Sequence, residues 1–546
     1  MQLLRQSLQK CAALNTRYFS ASSSKKFTPN TNEKPFKVLQ SEGEITIDLE
    51  SFKKNEQHFA KYVETLKQAE EIAKAGGGEK SIERHVKRHR KLMITDRVKL
   101  LVDDIDDFME LSLTAGIGME YGHVPRGSTL TGIGKVRGRY CIILANDGAF
   151  KGGAVYPITL KKQLRAQEIA EQNRLPCIYL VDSAGAFLPL QSEIFNLGGR
   201  SFFNEAVLGA AKIPQMAIVC GSCTAGGAYV PTMADDAVIV KKTGTIFLAG
   251  PPLVKAALGE IISPEDLGGA IVHCGTSGCT DYFAEDETAA LQLGRDIVSS
   301  LNVACNEEKE FLDYDEPVFD VNEIPGIIPH PDCYSEINMF QIIARLVDGS
   351  RFHEFKAMFG PCLVTGFAHI EGHLVGILAN MGGIGEAEAA KGTHFVLTCC
   401  ERDIPLLFLQ NTTDETENID ERDNVLQQSL SMKLQARMLA AVSCASVPKL
   451  TVIIGNGIGT SHYIMGGRAV SPNFLFAWPN ARVSIMEPQK LAADIAQESD
   501  QRNDDAMAKL TERIERESSA IYGSYHMLND GIILPQETRK VDFISP

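Results

Sequence analysis

A chain that repeats its own order of elements is constrained before any single residue is read, because two copies of one unit fold alike and pack together. From Ser128 the run TLTGIGKVRGRYCIILAND reads as a hairpin of strands, KKQLRAQEIAEQNR as a helix and PCIYLVDS as a buried strand. The same order returns as LVTGFAHIEGHLVGILANM, KGTHFVLTCCERD and IPLLFLQN, and KIPQMAIVCGSCTAGGAYV is echoed by SVPKLTVIIGNGIGTSHYI. All four pairs share an offset of roughly 230 residues. Alternating strands and helices of this kind predict two homologous α/β domains in tandem. They are placed at 84–315 and 333–546, joined by a linker at 316–332 that is rich in Pro and acidic residues. A polar helical extension over 25–83 precedes them, interrupted at Gly76, Gly77 and Gly78.

The formal charge of −15 argues against nucleic acid or an anionic membrane surface as partners, since both repel such a surface at long range. Hydrophobic runs such as Met216 to Cys220 are short and bounded by Gly and Pro, so they read as buried strands and not as membrane spans. The thirteen cysteines show no metal-ligand spacing: Cys220 and Cys223 form one isolated C-x-x-C, and Cys399 and Cys400 are adjacent. No metal is expected, and buried reduced thiols are. From Met1 to Asn32 there is no Asp or Glu, while Arg5, Lys10, Arg17, Lys25 and Lys26 are basic and a Ser-rich segment follows Arg17. Residues 1–24 therefore read as a mitochondrial presequence, and the matrix is the expected location.

After the strand MAIVC stands Gly221-Ser222-Cys223-Thr224-Ala225-Gly226-Gly227-Ala228-Tyr229, followed by a helix-compatible run. Small residues at a strand-to-helix turn let a ligand approach the backbone, and the free N–H groups there hold a developing negative charge. Tight helix–strand packing is the competing reading of such a turn. No G-x-S-x-G, G-x-x-x-x-G-K-[ST] or H-E-x-x-H occurs, so the usual hydrolase, P-loop and zinc-protease chemistries lack support.

Long strings then carry a specific resemblance. KGGAVYPITLKKQLRAQEIAEQNRLPCIYLVDSAGAFLPLQSEIF, GSCTAGGAYVPTMADDAVIVKKTGTIFLAGPPLVKAALGE and EDLGGAIVHCGTSGCTD resemble the N-terminal domain of biotin-dependent acyl-CoA carboxyltransferases. DGSRFHEFKAMFG, KGTHFV, IPLLFLQN and GRAVSPNFLFAWPNAR resemble the C-terminal domain. The pattern is nearest to the methylcrotonyl-CoA carboxylase beta subunits. The resemblance implies two crotonase-like (ClpP/crotonase) domains, acyl-CoA as substrate, and transfer of CO2 from carboxybiotin to 3-methylcrotonyl-CoA in leucine breakdown. It implies biotin carried on a separate alpha subunit, since no Met-Lys-Met occurs here, and a homo-oligomeric core, dimer or hexamer. By the same resemblance Gly226 and Gly227 donate N–H groups to the thioester oxygen, and Ala225 and Ala228 leave room around it. Lys151, Lys161, Lys162 and Arg165 become candidates for the CoA phosphates, against a solvated helix face as the alternative. Arg345 and Arg351 are candidates for a further acyl-CoA contact, against salt bridges to Asp348 or Glu354.

The second half departs from the family. Thr412-Thr413-Asp414-Glu415-Thr416-Glu417 stands where the family has a Gly-rich turn, Thr460 and Ser461 stand at an Ala-Gly pair, Glu487-Pro488 replaces Gly-Gly, and Leu534 replaces an Asp. Side chains at former glycines are expected to crowd biotin or forbid the needed dihedrals. A second reading is therefore an acyl-CoA-binding paralogue of weak or absent activity, acting as a structural or regulatory subunit. A third, a CoA-binding hydratase without biotin, needs an acid–base residue near the first turn, where Asp182 and Glu193 flank it in sequence.

Overall fold

The computed structural model describes residues 36–302, 314–413, 424–498 and 504–541. The presequence at 1–24 and the acidic loop Asp414 to Glu417 lie outside the described residues.

Two sheets built on one plan answer the internal repeat. In the first half β1 (Met109–Leu111), β2 (Thr129–Val136) and β3 (Arg139–Asn146) form an antiparallel ribbon. Beyond it lie β4 (Cys177–Ser183), β5 (Gln215–Thr224), β6 (Asp236–Val240), β7 (Thr245–Phe247) and β8 (Tyr282–Ala284), paired in parallel. The order is β1-β2-β3-β4-β5-β6-β8, with β7 against β5. In the second half β9 (Arg351–Glu354), β10 (Leu363–Ile370), β11 (His373–Asn380), β12 (Leu406–Thr412), β13 (Lys449–Ile458), β14 (Phe474–Ala477), β15 (Arg482–Ser484) and β16 (Gly531–Ile532) repeat that path, with β15 against β13. The tandem α/β architecture expected from the sequence is thus the observed one.

The long central strand of each sheet changes partners along its length. Residues Met216 to Val219 of β5 pair with β6, and Ser222 to Thr224 pair with β7. Leu450 to Ile453 of β13 pair with β14, and Asn456 to Ile458 with β15. Each strand therefore delivers its C-terminal end to a separate short strand, and the strand-to-helix turn follows at once. The carboxyl end of a central parallel strand is where open α/β sheets bind ligands.

Alternation of side chains across β3 feeds two cores. Ile142 and Leu144 join a core that continues into the second half through Val364, Leu407 and Val452. Cys141, Ile143 and Ala145 face the opposite core, closed by helices Ile94–Leu101 and Glu287–Ser300. Parallel strands covered on both faces read as near-continuous apolar runs, as MAIVC does.

The halves are laced together by their ends. The extension helix Leu49–Lys74 packs beside Ile324–Ile327, with Asn55 donating to the Gly326 carbonyl at 3.0 Å. The C-terminal segment returns to the first half: the Ser112 N–H donates to the Asp530 carbonyl (2.8 Å) and Gly116 to that of Tyr525 (2.9 Å). At the junction Asp530 is fully buried and accepts from Arg165 Nε (2.8 Å) and Nη2 (2.9 Å), from Arg468 (2.7 Å) and from the Leu475 N–H (2.8 Å).

Candidate functional site

Strand β5 ends at Thr224 and the chain turns through a tight 3-10 segment, Ala225–Ala228, into the short helix Tyr229–Met233. Ala225 holds φ +53°, a left-handed conformation that costs an alanine roughly 1–2 kcal/mol. Such strain persists where the surroundings impose it, and it clusters at functional turns. The N–H groups that open a helical turn have no intrahelical acceptor, so that of Gly226 is free to meet a ligand oxygen, and that of Gly227 follows it along the same turn. Neither glycine has a positive φ, and an added Cβ would come no nearer than 3.5 Å to Phe202 at Gly226, or 3.6 Å to Ser183 at Gly227. Internal packing therefore does not require glycine at either place. What the missing side chains leave open is the outer approach to the N–H groups, since Gly226 is exposed and Gly227 half-buried. Beside the turn lies an apolar cleft of about 270 Å³ lined by Ala228, Tyr229, Thr232, Ile246, Phe247 and Leu248. Donors beside an apolar cleft suit an acyl thioester.

The cationic candidates scatter, and three of them are corrected. Lys162 is buried, its amino group donating to the Arg126 carbonyl at 3.0 Å, and burial pushes its pKa down to about 7. Arg165 is committed to Asp530 and to the Pro472 and Asn473 carbonyls. Arg345 is buried against Glu323 (2.7 Å) and the Gly43 carbonyl (2.9 Å), over the Phe319 ring. None of the three presents a free charge, because a long cationic side chain enclosed with its partners stays there. Arg351 pairs with Asp315 at 2.8 Å, so neither arginine takes Asp348 or Glu354 as its ion-pair partner. Exposed Lys161 spends a hydrogen bond on the His526 carbonyl (2.6 Å). Lys151 alone of the six is exposed without such a bond, in a left-handed turn at φ +49°.

Asp182 lies in β4 beside the strand that leads to the first turn, so close that a Cβ on Gly221 or Gly148 would strike its carboxylate. Burial favours the neutral acid, but Arg97 (3.2 Å) and Lys91 (2.8 Å) overcome it and hold the carboxyl below its usual range. Arg97 in turn meets Glu287 at 2.6 Å. A carboxylate locked between two cations is a poor proton shuttle, and Glu193 is exposed on the helix Gln191–Ala210. The acid–base residue that a hydratase needs is therefore not supplied by either. No motif marks Lys91 and Arg97, and only the fold brings them to this carboxylate.

The second turn repeats the first. Gly459 carries the left-handed φ (+70°) at the position of Ala225, Thr460 is right-handed (φ −66°, ψ −28°), and a short helix Ser461–Ile464 follows. The expectation that side chains here forbid the dihedrals is corrected: the one residue that needs left-handed freedom is still glycine. Ser461 is buried and accepts from the Ile384 N–H at 3.3 Å, so its side chain points away from the approach. Glu487 approaches Arg482 at 4.0 Å, and Pro488 opens the helix Pro488–Glu498, a first-turn position that suits proline. Leu534 precedes a short 3-10 turn.

Where the first turn has Ala228 beside its cleft, the second has His462. Its ring is enclosed between Gly457 and Gly467, where any Cβ would fall within 2.9 Å of a ring nitrogen, and Nδ1 meets the Gln410 amide at 3.0 Å. Burial pushes this histidine down to about 4 from 6.5. Between those values the unfolded chain binds a proton that the folded one refuses, so stability falls as pH drops from 6.5 toward 4. The expected loss between pH 7 and pH 5 is about 2 kcal/mol. His462→Asn should abolish that part of the slope, as urea unfolding at the two pH values will read; an unchanged slope would contradict the enclosed neutral ring.

Among the described residues no group of three His, Cys, Asp or Glu is placed to hold a metal, and no helix is long and apolar enough to cross a membrane.

Comparison with known proteins places the whole arrangement. The family model for the carboxyl transferase domain matches residues 85–545. The chain is 44% identical to the mitochondrial methylcrotonoyl-CoA carboxylase beta chain of Dictyostelium discoideum over 540 residues, 95% of this chain and 90% of that one. Against the Arabidopsis thaliana protein of the same description it is 48% identical over 488 residues, 86% and 82% of the two chains. The crystal structure of the P. aeruginosa geranyl-CoA carboxylase beta subunit superposes with a TM-score of 0.82 at 33% identity, covering 92% of this chain and 95% of that one.

Proposed function

The chain belongs to the carboxyl transferase domain family, and from that premise we propose that it is the carboxyltransferase (beta) subunit of a methylcrotonoyl-CoA carboxylase. The observation that carries the reading is the Ala225–Ala228 turn: two glycines that packing does not demand, at the end of the central strand, beside an apolar cleft. The N–H groups of Gly226 and Gly227 hold the thioester oxygen as it becomes an enolate, and the cleft excludes water from the acyl chain. In the second half the N–H groups of Thr460 and Ser461, at the start of their short helix, are the matching donors for a ureido oxygen. Biotin, arriving on a separate alpha subunit, supplies the activated CO2 and a base. The residues fit that group to the extent that the left-handed Gly459 turn is retained and Thr460 is exposed.

A homo-oligomer is part of this reading. Around the first turn Leu188 and Phe195 stand 77% and 79% exposed, with Phe203, Tyr229 and Leu248 also open, and around the second Ile485 is 71% exposed. Apolar side chains this open, gathered near both turns, favour a second copy of the chain as their cover. Residues 1–24 direct the chain to the mitochondrial matrix, and deleting them should leave a fluorescently tagged protein in the cytosol; unchanged import would remove that part of the reading.

The functional test is acyl-CoA-dependent transfer. The full chain, mixed with a biotin-carrying subunit, should carboxylate 3-methylcrotonyl-CoA in the presence of ATP and bicarbonate. Absence of product with a subunit that is itself carboxylated would defeat the assignment.

A further inference from the structure

Between the extension helix and the first domain runs KSIERHVKRHRK, residues 80–91, with six lysines and arginines to one glutamate in a chain of net charge −15. Its backbone is unusual twice over. Arg84–Arg88 form a π-helical turn, a rare geometry found often at functional sites, and Arg90 holds a left-handed φ of +53°. The segment is fixed from beneath: the His85 ring is buried and meets the Leu92 carbonyl at 3.0 Å, and Leu92 N–H donates to Glu287 at 3.2 Å. Lys91 reaches Asp182 at 2.8 Å. With these anchors inside, Arg84, Lys87, Arg88 and Arg90 are exposed, and only Lys87 has an acidic partner, Glu83, among the described residues.

The strip also touches the loop that packs against the strand end beside the glycine turn. Ser81 donates to the Ala149 carbonyl and Gly77 sits against the Phe150 ring, so the strip adjoins the loop that carries Lys151. That loop in turn receives the Ala184 N–H at the Gly152 carbonyl (2.9 Å), one residue from Ser183, which underlies Gly227.

We propose that Arg84, Arg88 and Arg90, with Lys151, form the subsite for the phosphate groups of the CoA ester whose thioester sits at Gly226 and Gly227. The proposal rests on the carboxyltransferase reading and assigns the charged end of the same substrate. Guanidinium groups pair phosphate oxygens in bidentate fashion, and unpaired exposed cations lose no internal ion pair when they do so. A surface that is acidic overall needs such a local positive strip to capture a polyanion.

The test uses the full chain carrying Arg84→Glu, Arg88→Glu and Arg90→Glu together, titrated calorimetrically with 3-methylcrotonyl-CoA and with its 3′-dephospho analogue. The native protein should bind the CoA ester with an affinity that falls as salt rises. The triple variant should bind it about tenfold or more weakly with a reduced salt dependence. A smaller loss for the dephospho analogue places the 3′-phosphate on the strip; an equal loss places the diphosphate there, and both support the subsite. Binding by the variant within twofold of native, with the same salt dependence, would overturn the subsite while leaving the carboxyltransferase reading intact. Failure of the native protein to bind the ester would overturn that reading itself.

Discussion

Gly226→Val is expected to lower kcat/KM for 3-methylcrotonyl-CoA by about 10²–10³-fold, the usual cost of losing an oxyanion donor, with the fold retained. The reason lies in the asymmetry of its surroundings. On the inner side a Cβ meets only Phe202, at an ordinary 3.5 Å, and φ is not left-handed, so the chain itself tolerates a side chain there. On the outer side two branched methyl groups stand over the N–H donors and displace the thioester oxygen. Steady-state kinetics paired with thermal unfolding will separate the two effects. Full activity would show that the turn does not touch the acyl group, and a collapsed Tm would show that glycine serves packing after all.

Asp530→Asn is expected to destabilise the protein by about 3–5 kcal/mol, the cost of stripping one partner from a buried ion pair. The substitution keeps the shape but leaves the buried Arg165 guanidinium with only the half-exposed Glu168 (2.9 Å) as a counter-charge, and takes the bridge from Arg468 as well. Burial would raise the Asp530 pKa, yet the two arginines hold it far below the usual carboxylate range. A carboxyl depressed on folding adds stability that is complete above its unfolded value, near pH 4, and is lost as pH falls through the folded value. The native chain should therefore lose stability steeply in acid, and the variant should lack that portion of the slope. Urea unfolding midpoints from pH 7 to pH 3 measure both, and a variant within about 1 kcal/mol of native at pH 7 would contradict the role of this residue.

The internal repeat made the two sheets legible, because strand alternation and a shared offset survive in the sequence wherever a core must be filled. The turn at Ala225 to Ala228 was legible for a related reason: small residues after a buried strand leave a local mark. The charged candidates were not. Lys162 and Arg165 look like a solvated helix face in sequence, but one points at the Arg126 carbonyl and the other at Asp530, 365 positions away. Helical spacing places residues on a face and says nothing of what a distant C-terminal segment lays over it. Arg345 escaped for the same reason, its partners being Glu323 and a carbonyl of the extension at Gly43. At the second turn the loss of Ala-Gly to Thr460 and Ser461 suggested a spoiled backbone. The backbone requirement sits one residue earlier, on Gly459, a point that dihedral angles reveal and composition does not.

If the N–H groups of Gly226 and Gly227 hold the thioester oxygen, as proposed, isotope-edited infrared difference spectroscopy observes that bond directly. With 3-methylcrotonyl-CoA labelled at the thioester carbonyl, binding to the native protein should move the carbonyl band to lower frequency, as donors at the turn draw charge onto the oxygen. Gly226→Val should lose the shift. A band that stays at its solution position in the bound native complex would contradict the account, because the thioester would then lie somewhere other than this turn.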